Sequence, residues 1–198
     1  MGVTIMGIAT KADEKTVLNA IKKTFEGDNL YFDINFESEP FFESFINRKP
    51  SDNIIDLYST NNGTICVLSS QLFEILRKEF LATFFDFVYF DICETSMSHR
   101  FALFSNGSEG SCMNIWDKGN SKRIAGDNFL DIKDDDDIFF NSFPSAINDY
   151  LPQSFHSIDL TTKIKRYLLI KNDSTNDVIK NDNKTHKTKK TFWERLFG

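Results

Sequence analysis

Residues 85–93 read FDFVYFDIC, and the alternation in this run decides the fold. As a strand it sends Phe85, Phe87 and Tyr89 to one side and Val88, Phe90 and Ile92 to the other, because successive side chains on a strand point to opposite faces. A strand that is apolar on both sides needs cover on both sides, or has one side turned to a ligand or partner. The run is therefore expected in the middle of a sheet.

Its neighbours set the fold class. Upstream, QLFEILRKEFLATF (71–84) places Leu72, Phe73, Leu76 and Phe80 on one helical face, with Ser69 or Ser70 as cap. Before it, IIDLYSTNNGTICVLS (54–69) reads as a hairpin whose type I′ turn uses Asn62-Gly63. Downstream, HRFALFSNGSEGSCMNIW (99–116) reads as a second hairpin that turns at Asn106-Gly107. The N-terminal region supplies a strand over 3–9 and an amphipathic helix within 10–27. Thr10 and Asp13 stand at capping-box spacing there, Val17, Leu18, Ile21 and Phe25 form the inner face, and Gly27 is the stop.

A strand at 30–36, a loop or short helix over 37–53, an acidic loop at 131–140, a short helix entered at Pro144 and a closing strand at 161–170 complete the body. The order β-α-β-loop-ββ-α-βββ-α-β lacks the alternation of a doubly wound parallel sheet. It predicts an α+β domain over residues 1–170, a mostly antiparallel sheet with two main helices on one face. Residues 171–190 are polar and lysine-rich, too poor in apolar side chains to offset ordering entropy, and read as a tether.

Charge divides the chain in the same way. Residues 1–170 carry 16 Lys/Arg against 25 Asp/Glu, and residues 171–198 carry 7 against 4. An acidic body disfavours nucleic acid, whose phosphates are bound by clustered Lys and Arg. Cys66, Cys93 and Cys112 form no C-x-x-C pair and stand at no ligand spacing from a His, so neither a zinc site nor a disulfide framework is expected. The start MGVTIMGIAT lacks the basic segment of a secretory signal, and no run of ~20 apolar residues is present. These features lead to the expectation of a cytoplasmic protein with reduced thiols.

Three stretches can carry function. In DICETSMSHR (91–100) the polar residues Asp91, Glu94, His99 and Arg100 crowd together with Ser96 and Ser98. A Ser-His-acid set can be assembled from these residue types, although the nucleophile elbow G-x-S-x-G is missing. The competing reading is a polar turn in which Arg100 pairs with Asp91 or Glu94. The run Asp134, Asp135, Asp136 and Asp137 lacks the ligand order of a calcium loop and reads first as a solvated, self-repelling loop, and next as an anionic face for a basic partner. No metal or cofactor is expected.

The ending TFWERLFG (191–198) is the third. As a helix it gathers Phe192, Trp193, Leu196 and Phe197 within roughly 140° of its circumference. So short a helix gains order only by contact, with the protein's own body, with a partner's groove or with an anionic membrane that Lys187, Lys189 and Lys190 would favour. The sequence thus points to a non-catalytic module that binds another protein, with toxin neutralisation or defence as one version. The alternatives are a small hydrolase or transferase built on 91–100, and a peripheral membrane scaffold that works through the tail.

Overall fold

A computed structural model describes residues 4–26, 30–35, 53–83, 86–93, 95–116, 121–127 and 161–171. They form β1 (Thr4–Thr10), α1 (Glu14–Thr24), β2 (Leu30–Asn35), β3 (Ile54–Thr60), β4 (Gly63–Val67), α2 (Ser70–Thr83), β5 (Asp86–Cys93), β6 (Ser98–Ser105), β7 (Ser108–Trp116), β8 (Ser121–Ala125) and β9 (Lys165–Lys171). The strands make one nine-stranded sheet in the order β2-β9-β3-β4-β1-β5-β6-β7-β8. Every pairing in it is antiparallel. The fold is α+β, with β1 at the centre of the sheet and β5 beside it.

Both helices lie on one face. Val17, Ala20 and Ile21 of α1 and Leu72, Phe73, Leu76 and Phe80 of α2 share a buried cluster with Ile8, Leu57, Cys66, Tyr89 and Phe104 of the strands. The cap of α1 differs from the capping-box expectation. Thr10 belongs to β1, and Asp13 is the N-cap, its carboxylate accepting the Thr16 N–H at 2.7 Å. Short polar side chains suit this position because they accept a helical N–H that has no partner within the helix. Ser69 does the same for α2, accepting the Leu72 N–H at 3.2 Å. A Lys23–Glu79 ion pair at 2.6 Å joins the two helices on their outer side.

The two predicted hairpins are present, and their turns differ. Asn106 and Gly107 have φ of 51° and 78°, the positive values a type I′ turn requires. In the first hairpin Thr60 pairs with Gly63, so the turn residues are Asn61 and Asn62, and neither takes a positive φ. The expected Asn62-Gly63 type I′ turn is not formed. The Thr60 hydroxyl accepts the Asn62 N–H at 3.1 Å, a local bond that holds a turn of another type.

The Gly7–Val67 pair of the β1–β4 contact shows how tightly the centre is built. At Gly7 an added Cβ would run into the Cys66 carbonyl oxygen, so only glycine lets the two backbones approach there. The closing strand β9 does not extend an edge but inserts between β2 and β3. A bidentate pair fixes its register: Arg166 Nε and Nη2 reach Asp56 Oδ1 and Oδ2 at 2.8 and 2.9 Å, with the Asp56 side chain fully buried. Strand β8, at 121–125, was not expected from the sequence. The acidic loop, the Pro144 segment, the tether and the C-terminal motif lie outside the described residues.

Candidate functional site

Register decides which polar side chains meet. On β5, Tyr89, Asp91 and Cys93 follow Phe87 on the face that carries the helices, and on β6 they stand opposite Ala102, Arg100 and Ser98. On β7 a bulge shifts the pairing between Leu103 and Phe104, so that one extra residue, Gly110, is accommodated. The shift turns Cys112 and Asn114 to the helix face and Met113 and Ile115 to the opposite face.

The result is a half-buried polar strip beside α2. Arg100 Nη2 donates to Glu109 Oε1 at 3.2 Å, and Arg77 of α2 reaches Glu109 Oε2 at 3.5 Å. One carboxylate thus bridges two guanidiniums. Each arginine also lies over an aromatic ring, Arg100 at 5.7 Å from the Tyr89 centroid and Arg77 at 5.3 Å from that of Phe104, an arrangement that favours the cations electrostatically. The Tyr89 hydroxyl donates to Asp91 Oδ2 across a long 3.5 Å. Burial raises the Asp91 carboxyl above its ordinary range, against the opposing influence of Tyr89 and Arg100. Burial and the charge of Asp91 raise the Tyr89 phenol as well. Adjoining this strip at Arg77, a shallow open groove of about 480 Å³ runs between α2 and the β6–β7 turn, lined by Glu74, Arg77, Lys78, Leu81, Ala82 and Gly107.

The crowd at 91–100 does not come together as one constellation. Asp91 and Arg100 share the helix face, directly opposite each other in the β5–β6 pairing. His99 points the other way, is 6% exposed, and stands opposite Ile92 on the second face. Arg100 meets Glu109, a partner that the sequence did not suggest. Glu94 is outside the described residues, as are Asp134 to Asp137, Lys187, Lys189, Lys190, Phe192, Trp193, Leu196 and Phe197. A Ser-His-acid relay needs its members on one side within hydrogen-bond reach, and a sheet separates His99 from Asp91.

The chain matches no family model, no curated protein and no solved structure.

Sequence reasoning treated Cys93 only as one of three reduced thiols. It is a free, partly exposed thiol at the end of β5. Burial, the largest single influence, pushes it up, but hydrogen bonds from Ser96, Thr4 and the Thr95 backbone outweigh it and leave the thiol below its ordinary range. Thr4 Oγ1 lies 3.7 Å from its sulfur. The turn that follows holds Met97 at φ 48° and 42% exposed. Among the described residues no three His, Cys, Asp or Glu side chains stand where they could hold a metal ion, and no helix is long and apolar enough to cross a membrane.

Proposed function

We propose that this chain is a non-catalytic cytoplasmic module that recognises another protein, its acidic body facing a basic partner and residues 191–198 making a second contact. The observation that carries the reading is the placement of His99 on the sheet face opposite Asp91 and Arg100. The one histidine beside the acids is withdrawn from them, and Arg100 and Arg77 are engaged with Glu109. The excess of Asp and Glu over residues 1–170 steers a basic protein toward the surface and raises its association rate. An inhibitor that covers a basic toxin or defence effector is the version that fits this charge best.

The test compares the tagged full-length chain with the variant in which Asp134, Asp135, Asp136 and Asp137 are all changed to Asn. The expected result is a basic protein that co-purifies in near-equal amount with the wild type and rebinds when purified. Its recovery should fall by at least about tenfold with the variant or at high salt, since screening removes charge-driven recognition. Equal recovery with both chains would remove the acidic surface from the account.

A second reading draws on Cys93. A thiol with a lowered pKa is the better nucleophile at neutral pH, so a transferase or hydrolase built on 91–100 would use Cys93 in place of His99. It predicts loss of a measurable turnover with Cys93→Ser in a folded protein, whereas the binding reading predicts unchanged partner recovery.

A further inference from the structure

The carboxylates of the polar strip differ in what meets their oxygens. Glu109 holds Arg100 through both oxygens, at 3.2 and 3.4 Å, and Arg77 at 3.5 Å. Glu74 reaches Arg77 Nη1 at 3.8 Å. Asp91 faces Arg100 across the β5–β6 pairing, yet among the described residues its one hydrogen bond is the long one from Tyr89. Arg100 is committed elsewhere, since besides Glu109 it meets the Cys112 sulfur and the Tyr89 ring. On its other side Asp91 stands opposite Met6 of β1, which brings no charge. Lys78, the next cation along α2 from Arg77, lines the groove at the β6–β7 turn instead. Asp91 itself is partly exposed, so a cation from outside can reach it. Burial without a matching cation disfavours the ionised form, as the raised Asp91 carboxyl reflects. Asp91 therefore lowers the stability of the free chain at neutral pH, and a residue with that effect has its use in function.

We propose that Asp91 is the point at which the basic partner inserts a lysine or arginine side chain, its charged end on the Asp91 carboxylate. The assignment rests on the basic-partner reading above and gives that partner a specific contact on the described sheet. Glu74 of α2 also acts on the Tyr89 hydroxyl, and its side chain is 63% exposed, so a second carboxylate stands on the approach. The incoming cation supplies the charge that Arg100, held by Glu109, does not. The penalty of the half-buried carboxylate is thereby relieved only in the complex, and this difference between free and bound states favours binding. A partly desolvated charge met by one complementary side chain is also how a few residues come to dominate an interface. The acidic excess of residues 1–170 draws a basic protein in from a distance, and Asp91 fixes where it docks.

The probe for the test is N-acetylargininamide, added to the full-length chain at constant ionic strength, with N-acetylcitrullinamide as its uncharged counterpart. NMR follows the backbone amides of Tyr89, Phe90, Asp91 and Arg100 and the Asp91 carboxyl carbon. The arginine probe should shift these signals saturably and lower the Asp91 titration midpoint by about one unit, the effect of a cation brought against a carboxylate. The citrulline probe should do neither. Asp91→Asn should lose the response while its urea midpoint at pH 7 rises. Asp86→Asn, which removes the same charge from the exposed start of β5, should keep the response. Shifts that spread over the surface carboxylates and persist in Asp91→Asn would overturn the proposal. So would the lack of any saturable response, or an Asp91→Asn chain less stable than wild type. Basic protein recovered equally by wild type and Asp91→Asn would remove Asp91 from recognition and leave the partner reading standing. An arginine response that Asp91→Asn abolishes, in a chain that recovers no basic protein, would keep the cation site and remove the partner.

Discussion

Phe87 and Phe90 are three residues apart on β5 and serve opposite faces, so truncating each to Ala probes each layer separately. Phe87 is 1% exposed and sits among three rings: Phe104 stacks on it at 4.7 Å, and Phe73 and Phe80 meet it edge-on at 6.5 and 6.4 Å. Phe90 is fully buried and borders Gly7 of β1, where an added Cβ would already stand 3.0 Å from its ring. Neighbours packed this tightly collapse poorly into a vacated space, so each Phe→Ala should cost about 3–5 kcal/mol. Phe87 belongs at the upper end, because each lost aromatic pairing adds about 0.5–1.5 kcal/mol beyond area alone. With a urea m-value of about 2 kcal/mol/M, a loss of 4 kcal/mol lowers the midpoint by about 2 M at unchanged slope. Urea titrations followed by tryptophan fluorescence and far-UV circular dichroism read this directly. A Phe90→Ala chain that loses less than about 1 kcal/mol while Phe87→Ala loses the full amount would refute a sheet packed on both faces.

Other expectations concern charge. Because burial raises the Asp91 carboxyl, its ionised form is disfavoured in the folded state; stability it contributes is present at low pH and lost as pH rises through its folded pKa. Asp91→Asn should therefore be more stable than wild type at pH 7, an advantage that disappears in urea titrations toward pH 3. Arg166→Ala strands the buried Asp56 carboxylate and should cost about 3–5 kcal/mol in the same assay. The Tyr167 phenol, pushed up to about 12 by burial and by Glu14, keeps its contribution below pH 10 and loses it as pH rises toward 12. Thermal melts of Tyr167→Phe should accordingly converge with those of wild type over that range, from an initial deficit of about 0.5–1.5 kcal/mol for the lost hydrogen bond to Glu14.

The parts of the fold legible in the sequence are those with a local cause. Apolar spacing defines α1 and α2, Asn106-Gly107 dictates its own turn, and the two-sided pattern of 86–93 places β5 inside the sheet. What escaped depends on contacts distant along the chain. No local pattern shows that β9 inserts between β2 and β3, since the register rests on Arg166 meeting Asp56 110 residues away. The candidate site was half legible for the same reason. Alternation along a strand already separates His99 from Arg100, and counting faces from Phe87 would have found it. The meeting of Arg100 with Cys112 depends on a bulge at Gly110 that inverts the facing of every later β7 residue, and a lone glycine in a strand does not announce which way it will act.

The separation of His99 from Asp91 is what the functional account rests on, and NMR titration of the His99 ring in wild type and in Asp91→Asn measures it most directly. A carboxylate hydrogen-bonded to an imidazole moves the imidazole pKa by about one to three units. With the two side chains on opposite faces of the sheet, the account predicts that the His99 ring resonances and their titration midpoint stay essentially in place when Asp91 loses its charge. A midpoint that falls by a unit or more in Asp91→Asn would join the two residues in one site and contradict the non-catalytic reading.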